Sequence, residues 1–302
     1  MRIIILGPTA SGKTELSLQL AETLGTSVIS ADSRQCYKHM DIGTAKPTAE
    51  ELARAPHFNI SNLDVDKDDS AVKFHDRAAK WELEILKDSE HVIYIGGSTL
   101  HLTGLIQPFD DIPDSNDENI AEMEAQIEKE GIEPLFEKLK QVDPDYVLKL
   151  DGMNRQRIIR ALDVWMQTGK PFSSFHHEGG PQPDENTLVF GLQWDREKLY
   201  DRINQRVDIM IGQGLIKEVQ TILESGYSKD LQALQTVGYR EVISFFEGEY
   251  ELGEMIEKIK TNTRRYAKRQ LTWFRRWDFI HWMDAEGLGV EGMKDEILQK
   301  IP

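Results

Sequence analysis

The chain has 302 residues, 52 acidic against 36 basic side chains, a net charge of −16 and one cysteine, Cys36. A single cysteine excludes an internal disulfide and a cysteine-based zinc cage, and no apolar run is long enough to span a bilayer. The net charge does not exclude a nucleic-acid partner, because residues 261–276 carry six Lys/Arg and no acid, whereas 113–153 carry twelve acids against four bases. Screening confines the relevant field to about 8–10 Å, so a locally basic face can still bind phosphates. The amino terminus enters an apolar run without the pattern of a signal peptide, which makes the cytoplasm the expected compartment.

Ile3 to Leu6 reads as a buried strand. Gly7, Pro8, Thr9, Ala10, Ser11, Gly12, Lys13 and Thr14 follow, and then a helical pattern with Leu16, Leu20 and Leu24 spaced by four. Strand, glycine loop and helix with the spacing G-x-x-x-x-G-K-T is the pattern of a phosphate-binding P-loop. Backbone N–H groups and the helix N-terminus would surround an anion. Lys13 would add a point charge, and the Thr14 hydroxyl could ligate Mg²⁺.

Ser27 to Ala31 reads as a second strand ending at Asp32. Ligands of open α/β sheets collect at such strand ends, so Asp32 is expected to face the P-loop crevice; capping the following helix is the plainer alternative. Residues 41–47 form a Gly/Pro-marked loop that could contact substrate or only connect elements. A helix over about 69–87 puts Phe74, Ala78, Trp81 and Ile85 on one core-facing side. His91 to Ile95 reads as a third strand. It runs into Gly96, Gly97 and Ser98, where an ATPase would place an acidic magnesium-holding residue, and this weakens a hydrolytic-motor reading.

From Pro108 to about residue 168 the pattern is helical. Arg157 and Arg160 share a face of the helix that Asn154 starts, opposite Ile158 and Leu162, and suggest an anion contact. His176 and His177 lack partners at ligand spacing, so no metal site is expected there. Thr187 to Gln193 reads as a fourth strand, which makes the helical stretch an insertion. Arg196 to Leu223 reads as one helix, Gln235 to Arg240 as a glycine-centred turn opening another, and Phe279 to Met283 as a last strand. Between them, Arg264 with Lys268 and Arg265 with Arg269 are like-charge i, i+4 pairs, which cost helix stability in isolation and point to a polyanion partner. The interleaved Tyr266, Trp273, Phe274 and Trp277 could stack bases.

The blocks GPTASGKT (7–14), ISADSRQCY (29–37), DIGTAKP (41–47), IGGS (95–98), RQRIIRAL (155–162), VGYRE (237–241) and KRQLTWFRRW (268–277) resemble, in order, those of the tRNA dimethylallyltransferase family, also called tRNA isopentenyltransferase. The resemblance implies an α/β fold: a P-loop NTPase-like parallel sheet core over 1–110 and 187–302, with an inserted all-helical domain over 111–186 contacting tRNA. It implies transfer of a dimethylallyl group from dimethylallyl diphosphate to N6 of adenosine 37, beside the anticodon of tRNAs reading codons that begin with U. The expected cofactor is Mg²⁺, the partner the tRNA anticodon stem-loop, and the state a monomer away from any membrane.

By the same resemblance Asp32 is the general base, assisted by Ser98 and Lys13. Gly7 to Thr14 cradle the diphosphate, Thr14 lies near Mg²⁺, and Arg206 is a further diphosphate candidate. Asp32, Ser33, Arg34 and Gln35 belong to the loop that reads the nucleotide. The tRNA-contacting segments are Gln156, Arg157, Ile158, Ile159 and Arg160; Gln235, Thr236, Val237, Gly238, Tyr239 and Arg240; and Lys268, Arg269, Gln270, Trp273 and Arg275. Two positions depart from the family pattern. Ser98 stands where Thr is usual, and Asn119-Ile120-Ala121-Glu122 stands where a basic residue often touches the tRNA. A P-loop kinase and a non-catalytic RNA-binding protein are the competing readings. The missing acid after the third strand speaks against the first, and Asp32 paired with an intact Lys13-Thr14 against the second.

Overall fold

The computed structural model describes residues 1–107, 109–175 and 180–302; His176 and His177 lie outside the described residues. The chain forms two compact units, Met1–Gln107 with Pro181–Pro302, and Pro108–Gly180.

In the first unit the chain runs through β1 (Arg2–Leu6), α1 (Lys13–Leu24), β2 (Val28–Ala31), α2 (Ala49–Arg54), β3 (His57–Phe58), α3 (Ala71–Ile85), β4 (Val92–Gly96) and α4 (Thr99–Ile106). The second unit is helical: α5 (Asp117–Glu130), α6 (Glu133–Val142), α7 (Pro144–Val147) and α8 (Arg155–Thr168). The chain then returns to the first unit with β5 (Thr187–Gln193), α9 (Arg196–Gln213), α10 (Leu215–Glu224), α11 (Tyr239–Phe246), α12 (Leu252–Phe274), β6 (His281–Asp284) and α13 (Ala285–Lys300).

The sheet order is β3-β2-β4-β1-β5-β6, and every pairing is parallel. A parallel sheet covered on both faces needs strands apolar throughout. Ile3, Ile4 and Ile5 of β1 are all fully buried. Successive side chains leave a strand on opposite faces: Ile3 and Ile5 pack with α1 and α13, whereas Ile4 and Leu6 pack with α3, α4 and the end of α12. Leu6 pairs with Gly96 of β4, and Ala31 of β2 pairs with the same Gly96. The loops after these three strands therefore emerge side by side at the carboxyl edge of the sheet.

Two sequence expectations need correction. The sheet has a further strand, β3, whose two residues are too few to show a period. The single helix expected over 196–223 is two, because Gly214 takes φ 104° and its N–H bonds to the carbonyl of Ile211, which ends α9. Ala has no easy access to that conformation, whereas glycine does.

The helical unit has its own core of Met123, Leu135, Leu139, Ile158 and Leu162. Asn154 caps α8 by accepting from the Arg157 N–H, and Gly169 at φ 70° ends it. Its buried Asp163 accepts hydrogen bonds from Asn116 N, Asn119 Nδ2, Arg160 Nη1 and Gln167 Nε2 at 3.0–3.3 Å. Ile158 and Ile159 face this core at 0% and 6% exposure, so their side chains do not reach RNA.

A candidate active site at the P-loop

Ala10 and Gly12 take φ values of 63° and 92°, left-handed turns that swing successive N–H groups to one side and shape a nest for an anion. The amides of Ala10, Ser11 and Gly12 have no acceptor among the described residues. Lys13 Nζ bends back to the carbonyls of Gly7 (3.0 Å) and Pro8 (2.6 Å). Burial, and then repulsion from Arg206, push its pKa down to about 7, against the opposing pull of Asp32. The Arg206 guanidinium, its own pKa lowered chiefly by burial, has no hydrogen-bond or ion-pair partner among the described residues. Its five donors remain uncommitted.

Asp32 closes the carboxyl end of β2. Its Oδ1 accepts from the N–H of Arg34 at 2.8 Å and of Gln35 at 3.2 Å, while Oδ2 accepts nothing among the described residues. Asp32 thus lines the cavity as expected but caps no helix, since a turn follows β2 and the next helix starts at Ala49: one oxygen fixes that turn and the other stays available. Lys13, Thr14, Asp32, Arg34, Arg206 and Tyr266 line one cavity of about 1660 Å³.

The 41–47 loop also lines this cavity, and it is firmly held. Glu218 of α10 accepts the N–H groups of Asp41, Ile42 and Gly43 at 2.7–3.1 Å, and the Tyr239 hydroxyl at 2.6 Å. Lys46 donates to Tyr37 O, Asp41 Oδ1 and Ser61 Oγ. Gln35 donates to the carbonyls of Thr44 and Ala45 and accepts from Ser30 Oγ. Gln35 is therefore as much a strut as a reader of nucleotide.

The segments expected to touch tRNA divide by exposure. Gln235, Thr236, Val237, Gly238 and Arg240 line the cavity, but the Tyr239 side chain is fully buried, with its hydroxyl bonded to Glu218, and is not exposed to tRNA as the sequence suggests. On α12 Lys268 and Arg269 are exposed, as is Arg275 at its carboxyl cap, whereas Gln270 is buried, with its amide bonded to Thr9 N and Gly97 O. Trp273 is half-buried against the sheet, with the Arg276 guanidinium 5.4 Å from its ring centroid. In the helical unit Gln156 and Arg157 are exposed. Arg160 is engaged with Asp163, Ser115 and the carbonyl of Pro113, which is why its charge is poorly placed to serve RNA. At the second departure from the family pattern, Asn119 bonds Asp163 and Ile120 packs on the core.

Ser98 starts α4, and its hydroxyl lies 2.9 Å from His101 Nδ1. Burial pushes the His101 pKa down to about 4, so the ring is neutral near pH 7. The sequence reading also missed two props of the P-loop. Trp194 Nε1 donates to Ser11 O at 3.0 Å, and Arg202 Nε to Ala10 O at 2.8 Å while stacking over Trp194. These contacts span 183 and 192 residues, and no local pattern announces them.

For a metal the cavity supplies oxygen donors, the Thr14 hydroxyl and Asp32 Oδ2, which suit a hard cation such as Mg²⁺. No cluster of three or more His, Cys, Asp or Glu side chains fit to hold a metal occurs among the described residues. A cation here would draw its remaining oxygens from a phosphate ligand and water.

No helix among the described residues is long and apolar enough to cross a membrane. The family model described as IPP transferase matches residues 35–277. A tRNA dimethylallyltransferase of Salinibacter ruber is 44% identical over 284 residues, covering 94% of this chain and 87% of that protein. The crystal structure of a tRNA delta(2)-isopentenylpyrophosphate transferase from Staphylococcus epidermidis superposes with a TM-score of 0.72 at 37% identity, covering 99% and 98% of the two chains. A eukaryotic dimethylallyltransferase acting on tRNA gives 0.79 at 26% identity, over 94% of this chain and 74% of that one. With a parallel sheet, an anion nest and an available carboxylate already in place, these likenesses leave one assignment: the chain belongs to the tRNA dimethylallyltransferase family.

Proposed function

We propose that this protein transfers the dimethylallyl group of dimethylallyl diphosphate to N6 of adenosine 37 in tRNAs that read codons beginning with U, working as a cytoplasmic monomer on the anticodon stem-loop. The observation that carries the reading is Asp32: one carboxylate oxygen without a protein partner, in the same cavity as unpaired P-loop amides and an unpartnered Arg206.

The adenine amine is a weak nucleophile because its lone pair is delocalised into the ring. As the N6–C1 bond to the allyl group forms, the C1–O bond breaks and diphosphate leaves with the electron pair. Asp32 accepts the N6 proton, an effect of about 10²–10⁴ in rate for a well-placed base. Charge developing on the leaving group falls on the amides of Ala10 to Gly12, on Lys13 and on Arg206. Mg²⁺ bound through Thr14 and the phosphates would supply further charge neutralisation. Withdrawing the base from its stack costs a few kcal/mol, which the exposed cations of α12 and the cavity edge at Gln235 to Arg240 would offset on the phosphate backbone.

Incubation with dimethylallyl diphosphate and unmodified tRNA, followed by mass analysis of nucleosides, tests the reading. The expected result is N6-dimethylallyladenosine with one diphosphate released per transfer. Phosphoryl transfer from ATP with no prenylated nucleoside would overturn it.

A further inference from the structure

Helix α12 buries Ala267, Gln270 and Phe274 along one stripe, while Lys268, Arg269 and Arg275 stay outside. An amide in the middle of a buried stripe is an odd choice. Burying it without hydrogen bonds costs about 1–3 kcal/mol, and a leucine or methionine would fill the space without that cost. Gln270 is 3% exposed, and both ends of its amide are engaged. Oε1 accepts from the Thr9 N–H of the P-loop at 3.2 Å, and Nε2 donates to the Gly97 carbonyl after β4 at 2.8 Å. The fit leaves no slack, because a Cβ on Gly97 would sit 2.3 Å from Gln270 Nε2 and 3.2 Å from Gly7 O.

Thr9 directly precedes Ala10, whose left-handed φ begins the anion nest. A bond that fixes the Thr9 peptide therefore fixes the orientation in which the next three amides are presented. Its neighbours Lys268 and Arg269 face outward, whereas Gln270 is 3% exposed and commits one donor and one acceptor to the P-loop and the β4 turn.

We propose that Gln270 is a positioning residue for the donor: a latch by which α12 holds the P-loop and the β4 turn in the shape that receives diphosphate. The proposal rests on the P-loop being the diphosphate cradle, as argued above. Its signature is a defect in pyrophosphate and donor binding with RNA binding intact.

The test uses the full chain carrying Gln270→Met, which keeps length and burial but removes both hydrogen bonds, and separately Gly97→Ala, which displaces the amide from the other side. Pyrophosphate affinity is measured by calorimetry without tRNA, KM for dimethylallyl diphosphate by transfer assay, and anticodon stem-loop affinity by fluorescence. Losing one aligned hydrogen bond predicts about five- to tenfold weaker pyrophosphate binding and a matching rise in donor KM in both variants. Stem-loop affinity should stay within about twofold of the parent. Unchanged pyrophosphate affinity in Gln270→Met, or a loss confined to the stem-loop, would overturn the latch. Failure of the unmodified protein to bind pyrophosphate at all would overturn the cradle assignment beneath it.

Discussion

Three aspartates contrast the two units. In the helical unit Asp163 accepts four hydrogen bonds from its surroundings, and Asp143 accepts from Tyr146 N, Ser173 N and Ser173 Oγ. Both carboxylates are saturated by their own fold. In the sheet unit Asp32 is half satisfied, and nearby Arg206 and the amides of Ala10 to Gly12 are not satisfied at all. Buried polar groups in folded proteins are almost always paired. Where several are left open around one cavity, the fold has kept capacity for a ligand; where they are closed, it has used that capacity for itself.

The contrast can be broken most sharply at the carboxylates. Asp32→Asn keeps the turn-capping oxygen and loses only the base, so prenyl transfer should fall at least about 100-fold while thermal midpoint and stem-loop affinity stay put. A variant retaining turnover near the parent's would remove the base assignment. Asp163→Ala should do the reverse, destabilising the helical unit by about 3 kcal/mol as four donors lose their acceptor. Denaturant unfolding reads it, and an unchanged midpoint would show that the network is ornamental.

The next effect is smaller and depends on pH. Lys13 has a pKa of about 7 in the free protein, and a bound diphosphate offsets the repulsion from Arg206 and raises it. The complex then holds more protons than its parts, so affinity is complete below about pH 7 and declines as pH climbs towards the bound value. Calorimetry at pH 8 in two buffers of different ionisation enthalpy should report uptake of about one proton. Zero uptake would mean that Lys13 is already charged. The smallest effect belongs to the outer face of α12. Lys268→Gln with Arg275→Gln should flatten the salt dependence of tRNA affinity by about 0.7–0.9 in log–log slope for each phosphate left without its cation, and an unaltered slope would remove those cations from the interface.

How much of this was legible beforehand follows from how local each feature is. The P-loop, the strand ending at Asp32 and the capped start of α8 were readable, because each is written in fewer than ten consecutive residues. The family blocks marked segments but not side chains. Ile158, Ile159, Tyr239 and Gln270 sit in motifs that look RNA-facing yet point inward. Helical periodicity already sets Ile158 opposite Arg157, so the period and the family block disagree at that position and the structure sides with the period. Nothing local could have found Glu218 under the 41–47 loop, whereas Ser98 and His101, three residues apart at the start of α4, are a local pair. Gly214 was visible as a helix-ending residue, but it lies inside an otherwise continuous apolar period.

The props of the P-loop have a consequence for how the protein is made. Thr9, Ser11 and Ala10 are held by residues 261, 183 and 192 positions downstream. When synthesis reaches residue 180, the contiguous helical segment is complete, but the sheet still lacks β5 and β6. The P-loop is made before these partners, and its supports are complete only once synthesis has passed Gln270.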